Sequence, residues 1–339
     1  MSRKKLITGI KILIPAVLLV LVFRSIDIKT LLQELQGANI WLCLASLVIG
    51  YISQVFISAW RWKVMLQAIY HIDISYLCLT RLYWEGMFLG HFVPSNLGID
   101  LYRVVNTSRI QGGYDQHIAL IVAEKIYILL GSFILLLMSY PLAAIYMTSD
   151  TDQINDLMPW LIKLGIVCLL GLALVFGLSK TQRFQTMVET GRHLLGRLLQ
   201  WLMKLMRMEF VATDHLSTAD LIQPLFKWQN ILLALGITFV NRMTMAVSGD
   251  IMFQAVGVNL PLAVHLFNWT LMFIIFVLPI SFGSLGVREW SYILLFSMFG
   301  VPKETSLAAS FVGLASHLIT MLLGGLLLLS RSFKEKTKY

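Results

Sequence analysis

Apolar residues run along this chain in blocks long enough to cross a bilayer. Such stretches cover about 6–23, 39–59, 118–140, 159–178, 230–256, 262–280, 287–300 and 305–330, and a further run occupies 75–93. About 20 residues of helix span the hydrocarbon layer. The pattern therefore predicts an all-α polytopic membrane protein, with about 6–8 transmembrane helices plus one or two re-entrant broken-helix elements. Two segments have the period of an amphipathic helix instead. Residues 28–37 form a short one, and 183–209 a longer one whose apolar residues recur at i, i+3, i+4 and i+7. Arg183, Arg192, Arg197, Lys204 and Arg207 fall mostly on its other face. It reads as a basic helix lying on the membrane or packed on the protein.

Loop charge orients the spans, because Lys and Arg concentrate in cytoplasmic loops. The N-terminal "SRKK", a 60–73 loop with Arg61 and Lys63, the 183–209 helix and the C-terminal "RSFKEKTKY" are basic. The 141–158 loop carries Asp150, Asp152 and Asp156 and no Lys or Arg. Both termini are then expected in the cytoplasm and the acidic loop outside. Residues 75–117 must begin and end on the same side. One element satisfies that parity by entering along 75–92, breaking at 93–99 and returning along 100–110.

The break reads "FVPSNLGIDLYR" over 92–103, and it has an echo in "FVLPISFGSLGVREWSYIL" over 276–294. Each pairs a proline (Pro94, Pro279) with a glycine four residues on (Gly98, Gly283), then a carboxylate and an arginine. These are Asp100 and Arg103 in the first break, Arg288 and Glu289 in the second. Transporters built from inverted repeats carry broken helices in corresponding positions. The chain is expected to be one integral membrane domain over 1–339, divisible into halves 1–178 and 225–331 joined by 183–209. The 262–300 region fits two spans or one hairpin.

Composition narrows the classes. Of 339 residues, 58% are hydrophobic and 13% charged, which leaves no stretch with the composition of a soluble catalytic domain. The net charge of +9 fits cytoplasmic loops beside anionic headgroups. No nucleic-acid module, nucleotide loop, nucleophile elbow or cofactor motif is present. The three cysteines and seven histidines show no metal-binding spacing. A transporter is expected over an enzyme.

The two breaks, "VAEKIYILLG" over 122–131 and "LPISFGSLGVRE" over 278–289 resemble the flippase-like family, the transmembrane region of lysylphosphatidylglycerol synthases. The resemblance covers nearly the whole chain. It departs where Ser95, Asn96 and Ile99 stand in place of a glycine-richer break, and where Lys125 stands in place of arginine. It implies movement of an anionic phospholipid or a lipid-linked glycan across the cytoplasmic (inner) membrane, without lysyl transfer. The alternatives are a membrane-embedded transferase and a non-catalytic partner of a lipid- or glycan-synthesis complex. A homo-oligomer or a lipid-synthesis enzyme would be the protein partner.

Charges inside a membrane are expensive unless paired or facing a wet cavity. Arg103 can grip a phosphate bidentately. Asp100 can sit in the first turn of a returning helix, favoured by its free N–H groups, and Asn96 can bond the loop. Glu124 needs a partner, with Arg103 and Lys63 as candidates, and adjacent Lys125 must point elsewhere. Arg81 and Glu85 are spaced as an i, i+4 pair. Asn241, Thr244 and Ser248 form a polar stripe beside Arg242, either a cavity wall or a helix–helix contact. Arg288 and Glu289 follow the second break, with Gly283 and Gly286 permitting close approach or positive φ. The substrate-binding candidates are therefore Arg103, Glu124, Lys125, Asn241, Arg242, Arg288 and Glu289. The structural break residues are Pro94, Asn96, Gly98, Asp100, Pro279, Gly283 and Gly286. Glu124, Asp100 and Glu289 are the acids expected to couple movement to an ion or proton gradient.

Overall fold

A computed structural model of the protein describes residues 27–91, 97–148, 223–277 and 286–336, together with residues 159, 163 and 221. The expected spans 6–23 and 159–178, the amphipathic helix 183–209 and the break residues Pro94, Asn96, Pro279 and Gly283 lie outside the described residues. Within them every regular element is helical. Among the described residues four helices are long and apolar enough to cross a membrane.

Helix α1 (Ile28–Gly37) is the short amphipathic element, and it buries Leu31. Asp27 caps it, accepting from the Lys29 N–H at 2.9 Å and the Thr30 hydroxyl at 2.9 Å. These bonds to the ionised form hold the Asp27 carboxyl below its ordinary range. Asn39 starts α2 by accepting from the Trp41 and Leu42 amides. That helix runs over Ile40–Tyr70, with a π turn at Ile52–Ile57. Arg61 and Lys63 are thus helix residues, contrary to the expectation of a 60–73 loop. The helix continues through them because Ala59, Trp62, Met65, Leu66 and Ile69 present a buried face that packs in the core.

Helices α3 (Tyr76–His91) and α4 (Leu97–Ile110) have 16 and 14 residues. At 1.5 Å per residue neither is long enough to cross alone. They form an antiparallel hairpin. Gly98 makes its tight crossing possible, because a Cβ there would sit 2.8 Å from Gly90 Cα and 2.9 Å from the Leu89 carbonyl. Its two open ends stay together, with the Asp73 N–H donating to Gln111 Oε1 at 3.1 Å. The element predicted from parity is therefore present as a hairpin.

Helix α5 (Tyr114–Ala144) and helix α6 (Trp228–Ala255) are full-length spans. Helices α7 (Leu262–Val277) and α8 (Val287–Ser297) have 16 and 11 residues. They too run antiparallel, with His265 against Phe296 and Trp269 against Tyr292. Their described lengths, both short of a crossing, favour one hairpin over two spans for 262–300. Helix α9 (Lys303–Lys336) closes the bundle. Residues Gly324 and Gly325 let it lie directly on α3, where a Cβ at Gly324 would sit 2.1 Å from the Trp84 carbonyl.

The two hairpins open at opposite ends of the bundle. One end holds Tyr70, Asp73 and Gln111, with the Tyr70 hydroxyl donating to the Leu221 carbonyl at 2.7 Å. The other gathers the Asn39 N–H on the Ala255 carbonyl at 2.8 Å, the Thr148 N–H on the Met298 carbonyl at 3.1 Å, and Thr305 on Glu34 at 3.4 Å. Helices α2 and α5 connect those ends in opposite directions. Hairpins inserted from opposite ends are the arrangement of an inverted repeat.

Candidate functional site

The deepest charges gather where α2, α4 and α5 meet. Glu124 of α5 is 1% exposed, and each of its oxygens holds one arginine. Oε1 accepts from Arg61 Nε at 2.9 Å and lies 2.8 Å from Nη2. Oε2 accepts from Arg103 Nη2 at 2.9 Å. The same Nη2 donates to Asp100 Oδ1 at 2.7 Å, and Lys125 reaches the other Asp100 oxygen at 2.8 Å. Three cations face two carboxylates, so the network keeps one positive charge in excess. Asp100 does lie in the first turn of α4. Both of its oxygens are nevertheless engaged by cations, which cross-link α4 to α5. Lys125 points away from Glu124 and snorkels outward, as adjacent positions on a helix require.

Arg103 is 2% exposed, and both of its terminal nitrogens are engaged by protein groups while its Nε has no hydrogen-bond partner among the described residues. Its guanidinium lies 4.4 Å from the ring centroids of both Trp62 and Tyr83. Nη1 donates to the Tyr83 hydroxyl. Two carboxylates, a phenol and two aromatic faces thus surround the group expected to meet the headgroup, with Nε left unbonded. Lys63 is not the partner of Glu124; it faces Asp73 at 3.7 Å. Arg61, Trp62 and Tyr83 are not among the candidates drawn from the sequence. Only "WRWK" at 60–63, a cation between two tryptophans inside an apolar run, signals the first two, and nothing local signals Tyr83. Arg81 and Glu85 form their i, i+4 pair at 2.7 Å, and Tyr102 donates to the other Glu85 oxygen at 2.7 Å.

The polar stripe on α6 is a helix–helix clamp. Asn241 Nδ2 donates to the Ser53 carbonyl at 2.9 Å, and the Ser53 hydroxyl donates to the Asn241 carbonyl at 3.1 Å. Two turns along, Ser46 and Ser248 exchange hydroxyl-to-carbonyl bonds, both 2.8 Å. Asn241 is therefore occupied in holding α6 on α2 at the π turn, not in lining a free cavity.

Arg242, next in sequence, points the other way. It is 8% exposed and lies 3.5 Å from the Phe273 ring centroid on α7. Its Nε has no hydrogen-bond acceptor. Among the described residues no carboxylate pairs with it, and the charged group that acts on it is Arg61, of the same sign. A buried guanidinium with no carboxylate against it among the described residues is a site that favours an anion.

At the second break, Gly286 has φ +78°. Its N–H donates to Glu289 Oε2 at 2.6 Å, the reciprocal half of a capping box at the start of α8. The other Glu289 oxygen takes the Arg288 guanidinium, with Nε at 3.1 Å. Arg288 keeps 12% of its side chain exposed, whereas Glu289 keeps 1%. Glu289 is thus a capping and pairing group, and Arg288 is the more accessible of the two.

A family model described as "Lysylphosphatidylglycerol synthase TM region" matches residues 7–325. A comparison with curated proteins finds no match.

Proposed function

Because this chain belongs to the lysylphosphatidylglycerol synthase transmembrane-region family, we propose that it is a flippase-like translocase. It moves the headgroup of an anionic phospholipid or a lipid-linked glycan across the cytoplasmic membrane. The observation that carries the reading is Arg242, buried on Phe273 without an anion of the protein to neutralise it among the described residues. A phosphate supplies that anion, and a planar guanidinium binds it through two parallel donors. The excess positive charge of the Arg61–Glu124–Arg103 network adds attraction from the side of the first hairpin. Arg288, at the tip of the second hairpin and partly exposed, is a second cation for the headgroup to meet.

In this mechanism Glu124, Arg103, Asp100 and Lys125 are the frame and Arg242 is the carrier of the bound charge. The headgroup enters between the hairpins while its tails remain in lipid. Tilting of one hairpin against the four spans exposes the site first to one face and then to the other. The basic chain ends stay in the cytoplasm, as the loop charges require. The test is reconstitution of the purified protein in liposomes with a fluorescent phospholipid. Translocation of chemically unaltered lipid is the expected result. A covalently altered lipid assigns the protein to transferases, and no movement together with tight binding to a synthase assigns it to scaffolds.

A further inference from the structure

The acids expected to carry protons are all engaged. Glu124 holds two arginines, Asp100 an arginine and a lysine, and Glu289 an arginine and a backbone N–H. A different pair stands apart from them at the opposite end of the bundle. His265 Nε2 lies 3.4 Å from Asp250 Oδ1. His265 is wholly buried in the first turn of α7, and neither ring nitrogen has a hydrogen-bond partner among the described residues. Asp250 Oδ1 has none either, while Oδ2 accepts from Gln254 at 3.0 Å. The Asp250 side chain is 22% exposed, so it links the sealed imidazole to the surface of the bundle. One turn along α7 from His265, the buried indole N–H of Trp269 also lacks an acceptor. It sits over Gly249, where a Cβ would lie 1.7 Å from Nε1.

We propose that Asp250 and His265 form a proton-binding site that couples lipid movement to the proton gradient. A carboxylate in this setting needs a cation or a proton. Among the described residues His265 is the group beside it that can become a cation. One proton from water binds the imidazole, the imidazolium pairs with the Asp250 carboxylate, and no other bond changes. Among the described residues His265 meets Asp250 and the Phe253 ring of α6 and the Phe296 ring of α8; the Tyr292 ring of α8 stacks on Phe253, and Tyr140 of α5 lies against Phe267. The nearest charges on α8, Arg288 and Glu289, pair with each other at the break. The pair bridges α6, which carries Arg242, and α7, which carries Phe273. Protonation therefore ties the second hairpin to the helix that holds the anion, and deprotonation frees it.

The site rests on the translocase reading for its role, though not for its existence. Two measurements on the full chain separate these. In nanodiscs, the side-chain NMR signal of His265, identified by its loss in His265→Gln, is titrated in the wild type and in Asp250→Asn. The substitution moves the midpoint by about one pH unit or more. In liposomes, the translocation rate is followed from about pH 4 to about pH 8, a window wide enough for a buried histidine beside a carboxylate. The wild type varies several-fold, and His265→Gln is flat. An unmoved midpoint, or a His265→Gln profile like that of the wild type, overturns the proposal while leaving translocation standing. A moved midpoint in a protein that moves no lipid at any pH keeps the proton site and overturns the translocase.

Discussion

Replacing Glu124 by glutamine keeps the shape of the side chain and removes the one carboxylate that holds both buried arginines. Arg103 retains Asp100 at 2.7 Å, whereas Arg61, 5% exposed, loses its carboxylate entirely. Leaving one partner of a buried pair uncompensated costs about 3–5 kcal/mol. The lower end applies here, because the new amide still offers a carbonyl oxygen and because Asp100 remains. At roughly 2 °C per kcal/mol for a chain of this size, the apparent Tm in detergent falls by about 6 °C. The double variant Arg61→Gln/Glu124→Gln removes both charges, so its loss is smaller than the sum of the two single losses by about 2 kcal/mol. A single-variant loss below about 1 kcal/mol, or strict additivity, refutes the assignment of Glu124 as the counter-charge of the frame.

Three other outcomes follow from the geometry. Gly324→Ala puts a methyl into the Trp84 carbonyl and lowers stability by about 1–3 kcal/mol, read as a Tm shift in nanodiscs. A double-mutant cycle of Ser53→Ala with Asn241→Ala shows a coupling of about 0.5–1.5 kcal/mol, the sign of a clamp; a cavity wall gives none. Single cysteines at Gln111 and Asn259, placed at the two ends of the bundle, label with an impermeant thiol reagent from opposite sides of the membrane.

The hydrophobic pattern locates the described spans to within a few residues, because lipid imposes length and apolarity on each span alone. The exception is the end of α2, which continues past residue 59 to Tyr70. What the pattern leaves unread lies where helices meet. Arg61 looks like a loop cation because a charge interrupts the apolar run. Its partner, Glu124, is 63 residues away, and nothing local announces the pairing. The 75–110 hairpin is unaffected, since α2 ends at Tyr70 beside the hairpin's open end at Asp73 and Gln111. Arg103 draws attention as the charge left over after capping. Its cage comes from Trp62 and Tyr83, on two other helices. Asn241 and Arg242 read as one polar group in the sequence. Adjacent positions on a helix diverge by about 100°, so one clamps α6 to α2 and the other faces α7. Gly98 and Gly286 are legible as permissive positions, but only the packed hairpin assigns close approach to the first and positive φ to the second.

The central claim is that a buried, unpaired Arg242 carries the headgroup charge. Its most direct test compares lipid translocation in liposomes by the wild type, Arg242→Gln and Arg242→Lys. Losing a buried charge–phosphate contact costs about 2–5 kcal/mol, so Arg242→Gln slows translocation of an anionic lipid by at least about tenfold. Its Tm holds or rises, since an unpaired buried charge is gone. Arg242→Lys restores part of the rate, as a charge without the planar fork does. Translocation by Arg242→Gln at the wild-type rate contradicts the account.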